Sequence, residues 1–272
     1  MLLIPKLHAG AELALNKIIP EKDIDIVGMV RSDISISTKR YWNYVKFGLR
    51  RSGLFYGILI GLLAYTHLLC IFFARLFLTR TPKWLTLDEL IDRYQIPTHN
   101  TTNINSKASR ACIESWEPDV MVSLYFDQIL KSKVIKIPEV ATLNVHPGIL
   151  PRYRGIWPEF WKLLNEEEYA GVSIHHLIEK IDAGDVIAQE KFVIEKEDTK
   201  FSLALKSAQK GSQLLIKVLK KMKAGKKLKP LTLEGTPVYY SLPDKESFDK
   251  FHAKGKRLLS PLRLWRLFRR LA

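Results

Sequence analysis

Asn144 and His146 lie two residues apart at the end of the segment Thr142-Leu-Asn-Val-His146, and Pro147 follows at once. Residues i and i+2 of a strand share a face, so the Asn144 amide and the His146 imidazole point the same way. In open α/β sheets, ligands bind beyond the carboxyl ends of strands, which is where this pair stands. The loop His146-Pro-Gly-Ile-Leu-Pro-Arg-Tyr-Arg-Gly155 comes next. Its prolines and glycines let it form a wall with little entropy to lose. Asp182 opens the glycine-bearing turn Asp182-Ala-Gly-Asp185, between two alternating apolar segments. A carboxylate there is badly placed for packing and well placed for a site. Each feature alone has an ordinary reading: a polar strand end, a capping asparagine or a turn aspartate.

Their combination resembles a known family. Asn144-x-His146-Pro-x-x-Leu-Pro-Arg-Tyr-Arg-Gly155, then Gly171-Val-Ser-Ile-His175, then Ile181-Asp-Ala-Gly-Asp-Val-Ile-Ala-Gln189 is similar to the formyltransferases that use 10-formyltetrahydrofolate. These include the glycinamide ribonucleotide, methionyl-tRNA and amino-sugar N-formyltransferases. The resemblance runs over about residues 96–194, with His146 and Asp182 in family order. It implies that Asn144 binds the formyl oxygen, and that His146 assists the same oxygen or shuttles a proton. Asp182 would hold His146 or a water and receive the proton shed by an attacking amine. The folate pteridine would pack against Leu124, Tyr125, Phe126 and Asp127, with Ile149, Leu150 and Pro151 lining the same pocket. His175 is either a supporting residue behind the catalytic side chains or a packed strand histidine. Gly148 stands where the family commonly carries serine, a change expected to alter a loop hydrogen bond and leave the chemistry alone. The long first strand usual in the family is short here.

These residues need a scaffold, and the pattern supplies one. Residues 2–4 read as a short leading strand, 9–19 as a helix and 24–30 as a buried strand. Beyond Trp84, helices at 85–94, 104–115, 129–134 and 156–165 alternate with strands at 119–124 and 142–146, and 96–99 reads as a short strand or a connection. Strands at 172–178 and 186–194 and a long basic helix at 201–223 follow. This is the grammar of an α/β, Rossmann-like, mostly parallel sheet with helices on its faces. The expected organisation is a catalytic domain over 1–200, interrupted by a hydrophobic helical insert at about 38–84, then a basic helix and tail over 201–272.

That insert holds a stretch of 22 residues without a charge, from Gly53 to Ala74, flanked by Lys46, Arg50, Arg51, Arg75, Arg80 and Lys83. The length matches a bilayer span of roughly 20 residues, and a buried core helix is the other reading. A single crossing would separate the first strands from the rest of the sheet, which backbone pairing forbids. The expectation is therefore a helical hairpin resting in one leaflet on the cytoplasmic side, joined there by the Arg/Leu/Trp stretch at 258–271. A plain cytoplasmic protein is the alternative. The net charge is +15, and residues 191–272 carry 21 Lys and Arg against 7 Asp and Glu. Such a field favours anionic partners: a phosphorylated acceptor, an anionic membrane or RNA. A solvated lysine face is the plainer reading. Cys70 and Cys112 form no ligand cluster, so no metal is expected, and they suggest a reducing compartment.

The expected activity is formyl transfer from 10-formyltetrahydrofolate to a primary amine, foremost an amino sugar on a nucleotide or lipid carrier. Methionyl-tRNA is the runner-up, favoured by the basic third; too little chain follows residue 194 for the RNA-binding barrel of those enzymes. Glycinamide ribonucleotide comes third, and a non-enzymatic membrane or RNA adaptor on the same fold is the alternative of another class.

Overall fold

The computed structural model describes residues 1–6, 8–33, 42–43, 45–56, 58 and 84–260. Four strands build the parallel body: β1 (Leu2–Pro5), β2 (Met29–Ser32), β3 (Thr98–Thr101) and β4 (Val120–Leu124). They are joined by β5 (Ala141–His146), and then by the long antiparallel pair β7 (Tyr169–His176) and β8 (Val186–Val193). The sheet order is β3-β2-β1-β4-β5-β7-β8. Two-residue β6 (Arg154–Gly155) pairs separately with β9 (Tyr239–Tyr240). The short leading strand is therefore central, flanked by β2 and β4. The order reverses between β1 and β4, which places the ligand crevice of an open sheet beyond the carboxyl ends of β1, β4 and β5.

The strand expected at 24–30 is displaced. Only Met29–Ser32 pairs, while Val27 is 39% exposed. The 21–25 stretch is instead drawn away by lysines: Lys220 reaches Glu21 at 2.7 Å and Asp23 at 3.3 Å. Alternating Ile24 and Ile26 read as strand, but the charged residues just before them, Glu21 and Asp23, are held by Lys220 instead.

Helices cover both faces. On one lie α1 (Ala9–Ile18), α2 (Leu87–Tyr94) and the 24-residue α6 (Lys200–Lys223). On the other lie α3 (Lys107–Glu114) and the one-turn α4 (Ser132–Ile135). The alternation along β1 divides the core: Leu2 and Ile4 pack with Leu15, Ile18 and Leu215, whereas Leu3 packs with Ile104, Ile113 and Met121. Two capping boxes start α2 and α6, at Thr86 with Glu89 and at Thr199 with Ser202. Gly211 lets α6 lie close on β5, since a β-carbon there would stand 2.8 Å from the Val145 methyl. Thus α6 belongs to the layered body, although the residue-200 boundary had set it with the tail.

A third cluster joins α5 (Pro158–Leu164) to α7 (Lys245–Ala253) through Phe160, Phe248 and Phe251, all 0% exposed. Each such ring contributes about 1.5–3 kcal/mol by leaving water. The start of the hydrophobic insert docks here. Residues 45–56 are helical, Ser52 Oγ donates to Pro243 O at 2.7 Å, and Tyr56 stacks on Phe248 at 4.3 Å. Arg51, expected near lipid headgroups, turns inward to the Leu242 carbonyl. The second half of the expected hairpin, and the arginine-rich stretch beyond residue 260, lie outside the described residues. No helix among the described residues is long and apolar enough to cross a membrane.

Candidate active site

The register of the sheet brings the predicted triad together. β5 carries Asn144 and His146 on one face, and antiparallel β7 sets His175 opposite Asn144. The turn after β7 then returns Asp182 over both. Asp182 adopts φ 45, a left-handed conformation that aspartate tolerates better than most residues. Its Oδ2 accepts the Gly155 N–H at 2.8 Å, so the carboxylate is pinned to the far end of the loop that follows His146. The Arg154 guanidinium donates to the Ile181 carbonyl, which ties the same two segments again.

Hydrogen-bond chemistry fixes the ring tautomers. The His176 carbonyl only accepts, so His175 Nδ1, 2.9 Å away, carries a proton. That leaves His175 Nε2 to accept from Asn144 Nδ2 at 3.1 Å. The second Asn144 amide hydrogen points at Asp182 Oδ1, 3.4 Å away. His175, 1% exposed, is thus the residue that aims Asn144. By the same logic His146 Nε2 donates to the Tyr153 carbonyl at 2.6 Å. Its Nδ1 faces Asp182 Oδ2 at 3.5 Å, too long for a direct hydrogen bond.

Charge follows burial. Burial lowers the His146 pKa below the usual histidine range; Asp182 and the Tyr153 carbonyl oppose that shift without overcoming it. Burial pushes Asp182 up, but His146, His175 and the Gly155 N–H together outweigh it and hold the carboxyl well below the carboxylate range. The site at neutral pH is an ionised Asp182, a neutral His146 offering Nδ1, and an amide with two directed hydrogens. Those groups can withdraw charge onto a carbonyl oxygen and accept a proton.

Gly148 has a larger role than a lost loop hydrogen bond. A β-carbon there would stand 2.4 Å from His146 Nε2 and 2.8 Å from the Tyr153 carbonyl. The imidazole occupies the space a side chain would need. Sequence reasoning also missed the residues that hold the loop down. Ser173 Oγ donates to the Gly148 carbonyl at 2.6 Å and accepts the Leu150 N–H at 3.2 Å. Gln189 Nε2 reaches Ser173 Oγ at 2.8 Å and the Leu150 carbonyl at 3.1 Å. The available signal was spacing: Ser173 lies two residues before His175 on one strand face.

The residues expected around a pteridine divide. Leu150 and Pro151 line a cavity of about 220 Å³ that also exposes Asp182, Arg154 and Lys180. Ile149 packs beside Gly171. Leu124 is fully buried in the core, and Asp127 is exposed. Tyr125 turns to the α1 side, where its ring stacks on His8 at 4.2 Å, and Phe126 packs on the opposite face of the sheet. No group of His, Cys, Asp and Glu side chains among the described residues is arranged to hold a metal.

Residues 89–219 match the family described as formyl transferase. The chain is 35% identical over 127 residues to the bifunctional polymyxin resistance protein ArnA of Wigglesworthia glossinidia brevipalpis, covering 47% of this chain and 19% of ArnA. It is 36% identical over 124 residues to the methionyl-tRNA formyltransferase of Methylacidiphilum infernorum, covering 46% and 39%. The matched stretch spans less than half the length of either relative. Among solved structures the fold is similar to WlaRD, a sugar 3N-formyltransferase crystallised with dTDP and 5-N-formyl-THF. The TM-score is 0.55 at 18% identity, over 88% of this chain and 69% of that one. An N-formyltransferase from Helicobacter canadensis, in complex with folinic acid and dTDP-3-aminofucose, gives 0.54 at 17% identity, over 88% and 70%. At such identities the likeness is one of fold.

Proposed function

The chain belongs to the formyltransferase family, and on that premise we propose that it is an enzyme transferring the formyl group of 10-formyltetrahydrofolate to the primary amine of an amino sugar on a nucleotide or lipid carrier. The observation that carries this reading is the convergence of Asn144 and His146 on Asp182, at 3.4 Å and 3.5 Å from its two carboxylate oxygens, beside an open cavity. The folate co-substrate supplies a formyl carbon already activated by its bond to N10. Asn144 gives one amide hydrogen to the formyl oxygen, releasing its long 3.4 Å contact with Asp182. The acceptor nitrogen bonds to the formyl carbon and sheds a proton to Asp182 or to His146 Nδ1. The C–N10 bond breaks, and N10 takes a proton, so protons balance over the cycle.

One observation favours a phosphorylated carrier. Arg154 and Lys180 line the cavity beside Asp182 and offer counter-charge. The amino terminus of α1, where a sheet of this order can seat a phosphate, is capped by its own His8, whose Nδ1 accepts the Ala11 N–H at 3.2 Å. The carrier's anion then has the cavity rather than α1 as its seat. A lipid carrier draws support from the insert: Leu54, Phe55 and Ile58 are 69%, 71% and 54% exposed, with Lys46 and Arg50 exposed nearby. This apolar face with basic flanks suits a cytoplasmic membrane surface. Methionyl-tRNA is the second reading, resting on the 36% identity to the methionyl-tRNA formyltransferase.

The deciding experiment offers nucleotide-linked and lipid-linked amino sugars, methionyl-tRNA and glycinamide ribonucleotide with 10-formyltetrahydrofolate, following tetrahydrofolate release and product mass. A formylated amino sugar is expected. Formylation of methionyl-tRNA alone would replace this reading with the second, and no formylated product from any amine would favour the adaptor.

A further inference from the structure

Lys162 is a lysine in the wrong place for packing. It sits in α5 with 0% exposure, and no ion pair reaches it among the described residues. Its Nζ stands 3.4 Å from the Pro147 carbonyl and 3.4 Å from the Gly171 carbonyl. It also lies 5.4 Å from the centre of the Tyr153 ring. Pro147 directly follows His146, and the Tyr153 carbonyl is the acceptor for His146 Nε2 at 2.6 Å. One ammonium therefore holds the loop at the residue directly after the histidine, stands beside the ring of Tyr153, and joins that loop to β7. An aliphatic side chain of similar volume would fill the space without the cost of burying a charge.

We propose that Lys162 is a positioning residue whose ammonium clamps the Pro147 and Gly171 carbonyls and so sets the His146 ring for proton transfer. The charged groups around it are few. Glu159 on its own helix and Glu167 just beyond favour the cation, and His146 on β5 feels its repulsion. Glu167 is itself engaged by the Tyr153 hydroxyl at 2.6 Å and by Arg152 at 2.7 Å. Burial outweighs both carboxylates and lowers the Lys162 pKa to about 8. Above that pH the neutral amine keeps only two hydrogens and loses the charge that holds two carbonyl dipoles. The clamp loosens, and turnover falls on the alkaline side. An acceptor amine titrating in the same range acts in the opposite sense, because more of it becomes the neutral nucleophile.

The test compares the full chain with Lys162→Met, which keeps length and loses charge. The expected result is kcat lower by about 10- to 100-fold, the scale of a misplaced catalytic group, with a thermal midpoint unchanged or raised. Wild-type kcat should decline above about pH 8, and K162M should lack that limb. Stability supplies a second reading. The unfolded chain holds the lysine proton up to about 10.5 and the folded one to about 8, so wild-type stability gains with pH across that window and K162M loses this gain. This inference rests on the formyl-transfer reading for its kinetics only. The His146 ring resonances need no substrate; they should shift through a midpoint near 8 in the wild type and lose that midpoint in K162M. Unchanged kcat with the alkaline limb intact, or His146 resonances blind to that range, would overturn the clamp. The resonance shift in a protein that formylates nothing would keep the clamp and sink the function. Should K162M fail to fold, the wild-type titration and pH profile alone decide.

Discussion

At the scale of single residues, the site works by leaving little freedom to choose. Asn144 has one amide hydrogen held by His175 and the other lent to Asp182. Asn144→Ala should cut turnover by about 100- to 1000-fold, the usual cost of one oxyanion donor, and Asp182→Ala should also cut it severely. Purified variants of either kind with near-normal rates would remove the mechanism. Gly148→Ala is the sharper probe, because the methyl claims the space of the imidazole. We expect a loss of about 100-fold in kcat with folate binding retained; a variant as active as wild type would mean that the ring has another productive position. The sequence made Asn144 and His146 visible because period-two spacing at a strand end needs only local reading. It hid Lys162 and the loop-holding role of Ser173, whose partners lie 15 and 25 residues away in the chain. A lysine in an amphipathic helix reads as solvated until the surrounding layers are known.

Among the elements, α6 and the insert carry the largest revisions. The lysines of α6 looked like a field for anionic partners, yet Lys206, Lys210 and Lys220 already pair with Asp198, Glu190 and Glu21. Part of that charge is spent inside the molecule, and these partners come from segments that no local pattern connects to α6. The helix at 45–56 shows the reverse. Its Tyr56 side is committed to α7, and its Leu54 and Phe55 side is bare. Replacing Leu54 and Phe55 together with glutamine should weaken flotation with anionic vesicles by at least about tenfold, given roughly 1.5–3 kcal/mol for each buried apolar side chain. Turnover on a soluble acceptor should stay within about twofold, because neither residue touches the site. Equal flotation of wild type and variant would assign the bare face to another occupant. Element type was readable from hydrophobic period for the central strands and the helices packed on them, but not for β3, whose Thr98–Thr101 carries no apolar residue, nor for α7, which no pattern announced. Where β2 begins was not, because ion pairs from α6 decide it.

For the whole molecule, the sheet constrains the insert. β2 precedes it and β3 follows it, yet the two pair directly, Met29 with Thr98. Both ends of the intervening chain therefore meet on one side of any membrane. Cysteines introduced at exposed Lys22 and Asp92 should be labelled by an impermeant reagent from the same side only; labelling from opposite sides would contradict a single sheet. The same topology sets a schedule for synthesis. β1 leaves the ribosome well before β4, yet its Leu2 must pair with Val122 of that strand. At ~5–20 residues per second, the central strand waits on the order of 6–24 s for its neighbour. Throughout that interval Leu2, Leu3 and Ile4, each no more than 2% exposed in the finished fold, have no β4 to cover them. A nascent chain in that state needs a chaperone or rapid α1 docking. Slowed elongation before residue 120 should therefore cost yield far more than the same pause placed after it.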